Sequence, residues 1–72
     1  MDLQRARAIA APVIESDERW AAQSDAMADQ REARGDHDGA RRYREVAQRH
    51  RDSAARIQAA AERYGDDEQG TR

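Results

Sequence analysis

The side chains best suited to metal or acid–base chemistry are Asp36, His37 and Asp38, which follow one another in the middle of the chain. Their oxygen and nitrogen atoms are cation ligands. A helix–loop–helix calcium site, however, also needs a bidentate Glu at its twelfth position, where this sequence has Ala47. These carboxylates are therefore better suited to capping a helix, and no metal ion or cofactor is predicted.

Arginine side chains in the second half of the chain have the chemistry to hold phosphate groups. Acidic residues are interspersed among them, so a solvated, ion-paired helix face is the favoured interpretation and nucleic-acid binding is the principal alternative. Tyr43 is placed to stack on a base, although it also falls on an apolar stripe. The candidates for nucleic-acid contact are Arg41, Arg42, Arg44, Arg49, Arg51 and Arg56.

The sequence does not predict a catalytic site. The chain has two histidines, no cysteine and no Gly-rich phosphate-binding loop, and a two-helix unit has little room for a pocket. His50 lies on the apolar stripe, where a histidine is more often a buried core residue than a base or a ligand. We therefore expect a non-enzymatic protein in which His50 is partly buried.

The elements that position these side chains are two helices. Over about residues 40–64, apolar and small residues recur every seven positions, which is typical of a helix that packs along its length. A row of alanines at one heptad position allows a partner helix to approach closely. The three rows are Tyr43–His50–Ile57–Tyr64, Val46–Ser53–Ala60 and Ala47–Ala54–Ala61.

The first half of the chain predicts a helix over about residues 3–34. Steps of three and four residues along one side connect Ala6, Ala10, Val13, Asp17, Trp20, Ser24, Met27 and Arg31. Pro12 has no amide hydrogen and crowds the preceding turn. The sequence therefore predicts either a kink at Pro12 or a short separate helix before it.

A turn over residues 35–39 is predicted to connect the helices. Gly35 suits the left-handed position that ends a helix, and either Asp36 or Asp38 suits the cap of the next one. Gly35, Asp36, Ala40, Tyr43 and Ala47 resemble the middle turn of a tetratricopeptide hairpin. The resemblance covers the turn region alone, and it implies two antiparallel helices.

The position of the turn predicts which residues face each other. An antiparallel fold about residues 36–37 makes the numbers of facing residues add up to about 74. Trp20 is then predicted to fill the space above Ser53, and Ser24 to hydrogen-bond a neutral His50. The predicted packing or oligomer interface consists of Val13, Trp20, Met27, Tyr43, Val46, Ala47, His50, Ala54, Ile57, Ala61 and Tyr64.

The last residues, 66–72, are predicted to form a flexible polar tail beyond a single domain of residues 1–65. Tyr64 is followed four residues later by Glu68. This spacing is similar to the tail signal of the Trp-X-Gly family of type VII secretion substrates, which are also helical hairpins. The family's Trp-X-Gly motif belongs in the turn, whereas Trp20 lies within a helix and precedes Ala21. A secreted hairpin is accordingly the least favoured hypothesis.

Composition favours a small protein that associates with itself. The 72 residues include few large apolar side chains and no cysteine for a disulfide or a thiolate metal site. Residues 1–40 carry five arginines against nine acids, and residues 41–63 carry seven arginines against three acids. The opposite net charges of the two halves favour folding back or pairing with another copy.

The expected cellular setting is the cytoplasm of a bacterium, or a phage. The thirteen basic residues are all arginine, as a GC-rich genome tends to encode. No apolar run approaches the length of a membrane span and no signal core follows the first residue, so no membrane association is expected.

The sequence thus predicts an all-α antiparallel hairpin that dimerises into a four-helix bundle. Its predicted role is that of a small interaction or regulatory module whose partners are itself and an unidentified protein. A nucleic-acid-binding regulator that uses the arginines of the second helix is the alternative.

Overall fold

A computed structural model describes residues 2–70 of the chain, with side chains described for residues 2–64. It contains two α-helices, α1 (Leu3–Ala33) and α2 (His37–Gly70), which contact each other along their lengths. Their Cα atoms extend over 58 × 16 × 9 Å, so the hairpin is a single flat layer. The predicted all-α hairpin is therefore confirmed, and both of its flat sides are open.

Helix α1 is continuous through Pro12. The side chain of Asp2 caps its first turn by accepting a hydrogen bond from the Arg5 amide at 2.7 Å. Pro12 and Ala8 are both exposed, so the Ala8 carbonyl, which loses its donor to proline, lies where water can hydrate it. The predicted short separate helix before Pro12 is therefore not formed.

The end of α1 is fixed by backbone hydrogen bonds around Gly35. Gly35 has a φ of 80°, the left-handed conformation that glycine adopts without strain. Its amide donates to the Glu32 carbonyl at 3.0 Å, and the Asp36 amide donates to the Arg31 carbonyl at 2.9 Å. These two bonds form a Schellman motif, which satisfies carbonyls that the helix end would otherwise leave free.

Helix α2 begins immediately after this motif because Asp36 is its N-cap. The Gly39 amide donates to Asp36 Oδ1 at 2.9 Å. A Cβ atom on Gly39 would collide with the Asp36 carboxylate in its present position, so that side chain would have to shift if residue 39 were not glycine. Of the two predicted caps, Asp36 is the one used, and the connection is therefore shorter than the predicted turn of residues 35–39.

The short connection changes the register between the helices. Asp17 lies opposite Ser53 and Trp20 lies opposite His50, so facing residue numbers add up to 70, twice the number of Gly35. The predicted value of about 74 assumed a turn centred on residues 36–37. The prediction was wrong by about one helical turn, because the connection between Ala33 and His37 is centred on Gly35 rather than on residues 36–37.

The helices are joined by small side chains, which we call the alanine seam. Ala28, Ala40 and Ala47 are completely buried in it. Alanine lets two helix backbones approach closely, as the predicted alanine row implies. The seam consists of Ala6, Ala10, Ala21, Ser24 and Ala28 from α1 and Ala40, Ala47, Ala54 and Ala61 from α2.

The second helix is longer than predicted, since it continues to Gly70 rather than ending near residue 64. The predicted flexible tail, residues 66–72, overlaps this helix, and its last two residues lie outside the described part of the chain. Within residues 2–70, neither helix contains a segment apolar enough over a sufficient length to cross a membrane.

Candidate interaction surface

The large apolar side chains lie beside the alanine seam rather than in it. Val13 is 50% exposed, Trp20 55% and Tyr64 62%. Among the described residues no large side chain is fully buried. Adjacent apolar side chains left open in this way are characteristic of an interaction surface.

These side chains share one side of the hairpin, which we call the apolar face. Residues seven positions apart lie on the same side of a helix, and two such rows run along the middle of this face. Tyr43, His50 and Ile57 lie nearer the seam and are half-buried. The middle rows are Val13, Trp20 and Met27 on α1 and Val46, Ser53 and Ala60 on α2.

At the open end of the hairpin, the apolar face forms a groove of about 450 Å³. Among the described residues that line it, Tyr64 is the one with a polar side-chain group, its hydroxyl. A groove without further polar groups lacks the means to orient a small molecule, and it is suited to an apolar protein surface. The lining residues are Ala6, Ile9, Ala10, Val13, Ile57, Ala60, Ala61 and Tyr64.

The opposite side of the hairpin carries ion pairs between the helices, and we call it the charged face. Arg7 forms two hydrogen bonds to the carboxylate of Glu62, at 2.9 and 3.0 Å. Arg51 pairs with Asp25 nearer the turn. On the apolar face, the ion pairs among the described side chains are Arg31–Asp36 near the turn and Asp17–His50 at the centre.

The six arginines proposed for nucleic-acid contact do not form one patch. Arg44 lies 3.5 Å from Glu32 on α1, and Arg51 pairs with Asp25. Arg41 lies 3.5 Å from Asp38 one turn earlier. These pairs agree with the favoured interpretation of an ion-paired helix face. They also divide the six candidate arginines into three that form ion pairs and three that do not.

The other three candidates, Arg42, Arg49 and Arg56, form no ion pair within the described side chains. All three are exposed and spaced seven residues apart. Each lies three or four residues from a member of the middle row of α2, so together they line the outer edge of the apolar face. We call them the arginine edge.

A polar cluster of Asp17, Trp20, His50 and Ser53 occupies the centre of the apolar face. Nδ1 of His50 donates to Oδ1 of Asp17 at 3.0 Å, and the indole of Trp20 stacks on the imidazole with ring centres 6.2 Å apart. Hydrogen bonds from His50 and then from Ser53 hold the pKa of Asp17 below its usual value.

Two predictions about this cluster were wrong. Ser24 is not the partner of His50, because it lies in the seam at 7% exposure while Asp17 bonds the ring. Trp20 does not fill the space above Ser53 within its own hairpin. In the observed register it stacks on His50 and leaves most of its indole exposed.

Asp17, His50 and Ser53 are the residue types of a hydrolytic triad, but their arrangement is different. In a triad the histidine accepts the serine proton through the nitrogen that does not contact the aspartate. Here Asp17 bonds Nδ1 of His50, and no hydrogen bond joins Ser53 to His50 among the described side chains. The cluster is thus a polar contact, made by Asp17 and His50, within an otherwise apolar surface.

The predicted interface residues separate into three groups. Ala47, Ala54 and Ala61 lie in the seam, and Val13, Trp20 and Tyr64 are exposed on the apolar face. The half-buried residues between them are Met27, Tyr43, Val46, His50 and Ile57. The alanines of α1, which this prediction omitted, were detectable because Ala21 and Ala28 also repeat at seven residues.

Comparison of the chain with protein-family models, curated proteins and solved structures finds no match.

Proposed function

We propose that the hairpin is a small, non-enzymatic protein-interaction module that self-associates through its apolar face, two copies forming a four-helix bundle. The carrying observation is the division of the hairpin into two sides. The ion pairs Arg7–Glu62 and Arg51–Asp25, which join the two helices, lie on the charged face, whereas Val13 and Trp20 are each at least half exposed on the other. Covering these side chains removes apolar surface from water, which stabilises association.

A flat layer two helices wide supports this proposal. A two-helix unit buries only the seam between its helices, and here the seam consists of alanine and serine. Alanine contributes little apolar area, so the larger side chains stabilise the fold fully only when a second layer covers them. A second copy supplies that layer with an identical apolar face.

Sedimentation equilibrium at micromolar concentration tests the proposal, and a mass of twice 8.2 kDa is expected. The matched variants are Val13→Glu on the apolar face and Ala22→Glu at an exposed position outside it. Val13→Glu should be a monomer, either as stable as a single wild-type hairpin or less stable. Ala22→Glu should remain a dimer. A wild-type protein that is a stable helical monomer at these concentrations contradicts the proposal.

Nucleic-acid binding is a second candidate, favoured by the arginine edge alone. Three arginines in one row would release few counterions, so binding would be weak and its dependence on salt would be shallow. Titration of a fluorescent duplex with wild-type protein and with the triple Arg→Gln variant of the edge tests it. Equal affinities for the two proteins at low salt would contradict this candidate.

A further inference from the structure

The two middle rows of the apolar face differ in side-chain size. On α1 the row consists of Val13, Trp20 and Met27, and its tryptophan is 55% exposed. On α2 the row has Ser53 and Ala60 beyond Val46, which is nearest the turn. The face of a single hairpin therefore has a raised half along α1 and a low half along α2.

The two outer edges of the apolar face differ in charge. The arginine edge borders α2. The corresponding edge of α1 begins with Ile9, which lines the groove, and continues at seven-residue intervals through Ser16, Gln23 and Gln30. One edge is thus cationic, whereas the other is largely neutral and carries amide and hydroxyl oxygens that accept hydrogen bonds.

We propose that the face binds a second copy with α1 of each protomer on α2 of the other, so that both turns lie at the same end of the bundle. This inference rests on the proposed self-association and specifies its geometry. Two-fold symmetry allows two face-to-face arrangements. In the other arrangement, α1 packs on α1 of the second copy, α2 packs on α2 of the second copy, and the turns lie at opposite ends.

Side-chain size favours the proposed arrangement. With α1 on the partner's α2, the raised row meets the low row, and Trp20 lies over Ser53 of the second copy. In the other arrangement the rows containing Trp20 meet each other, while the rows of Ser53 and Ala60 leave a space between them. Large against small fills an interface without overlaps or voids, which is how protein interiors reach their packing density.

Charge favours the same arrangement independently. With α1 on the partner's α2, each arginine edge lies beside the neutral edge, where Gln23 can accept a hydrogen bond from Arg49. In the other arrangement the two arginine edges lie side by side. Like charges at a partly desolvated interface repel and weaken association, so the arginine edge excludes that alternative.

A distance between the two turns tests the geometry. The chain has no cysteine, so Arg34→Cys in the exposed turn carries a single spin label per protomer. Because α1 has 31 residues, opposite ends place the labels about 45 Å apart, whereas the same end places them below about 30 Å. The proposal expects the short distance in dipolar spectroscopy at a concentration where sedimentation shows a dimer.

The outcomes separate the two proposals. A long distance in a sedimenting dimer overturns the arrangement and leaves self-association standing. A monomer in sedimentation overturns both.

Charge substitutions at Gln23 provide a second test. Both variants carry Arg19→Gln, because Arg19 lies one turn earlier on the same helix and would otherwise pair with the new charge. Gln23→Glu should lower the dimer Kd by about two- to tenfold through attraction to Arg49, and Gln23→Lys should raise it by a similar factor. If both variants weaken the dimer, the two α1 edges face each other and the proposed arrangement is wrong.

Discussion

His50 Nδ1 lies 3.0 Å from Asp17 Oδ1 across the two helices, which fixes the protonated nitrogen of the ring. An ionised carboxylate is only an acceptor, so Nδ1 carries the hydrogen and the other nitrogen faces away. The pair stands at the centre of a surface that is otherwise apolar. It also replaces the predicted contact between His50 and Ser24.

Acid should destabilise the hairpin through Asp17. Its folded-state pKa lies below the unfolded value of about 3.9, so the unfolded chain binds the proton more readily. The contribution of Asp17 to the free energy of unfolding is therefore complete above about pH 4 and is lost as the pH falls through the folded pKa. Thermal melts between pH 5 and pH 2.5 should show a weaker dependence for Asp17→Asn than for wild type.

The matched control is Asp29→Asn, which changes a carboxylate with a side chain 81% exposed. It should leave the pH dependence close to that of wild type. If the Asp17→Asn and wild-type curves run parallel, the Asp17–His50 bond makes no contribution in solution.

Trp20→Ala should affect association more than the stability of the single hairpin. The indole is 55% exposed in one hairpin, so its truncation there should cost about 1–2 kcal/mol rather than the larger cost of emptying a core. At the centre of an interface the same truncation should cost about 2 kcal/mol or more of association free energy. Urea unfolding at low concentration and sedimentation at high concentration separate the two effects.

Arg19→Ala serves as the control for Trp20, because its side chain is exposed on the neighbouring position of the same helix. Equal effects of the two substitutions on dimer mass would show that Trp20 is not part of the interface. Trp20 is also the single tryptophan of the chain, so its emission should shift to shorter wavelength as protein concentration rises.

Ala47→Leu should destabilise the hairpin by forcing the helices apart. Ala47 is completely buried in the seam, and overpacking of a closely packed site costs about 1–3 kcal/mol. Ala59→Leu makes the same change at an exposed position of the same helix and should be nearly neutral. Similar urea midpoints for the two variants would mean that the helices do not approach closely at Ala47.

The effect of Gly39→Ala on the free energy of unfolding should change sign when the residue at position 36 is changed. In the wild-type background the new Cβ would collide with the Asp36 carboxylate and displace the helix cap, which costs about 1 kcal/mol. In an Asp36→Ala background the collision is absent, and alanine should stabilise the helix by up to about 1 kcal/mol over glycine. A double-mutant cycle measured by urea unfolding gives the coupling, and additive effects would contradict the observed cap geometry.

The helices, the alanine row and the role of Gly35 were predictable from sequence because each depends on local spacing. Seven-residue repeats mark the packed side of a helix, and a glycine after a helical segment marks its end. Neither signal needs knowledge of the other half of the chain. The separate helix before Pro12 was predicted from local spacing alone. Whether a proline breaks a helix also depends on whether the freed carbonyl is hydrated, which the local sequence does not indicate.

The register was not predictable, because two aspartates were equally suitable caps. With Asp36 as the cap, the connection is centred on Gly35 rather than on residues 36–37, which shifted the pairing by about one turn. That shift brought Asp17 rather than Ser24 to His50 and left Trp20 on the surface. The pair between Arg7 and Glu62 likewise depends on the register, since many acids are available to Arg7 in the sequence alone.

The alanines that α2 contributes to the alanine seam form a regular repeat, so they do not by themselves define one register between the helices. Ala40, Ala47, Ala54 and Ala61 are spaced seven residues apart, so sliding α2 by two turns along α1 replaces each alanine of that row by another. The connection at Gly35, the ion pairs of the charged face and the Asp17–His50 bond distinguish one sliding position from the next. Cleavage of the backbone between Arg34 and Gly35 would therefore leave two peptides that still associate, but as a mixture of staggered complexes with unpaired, fraying ends.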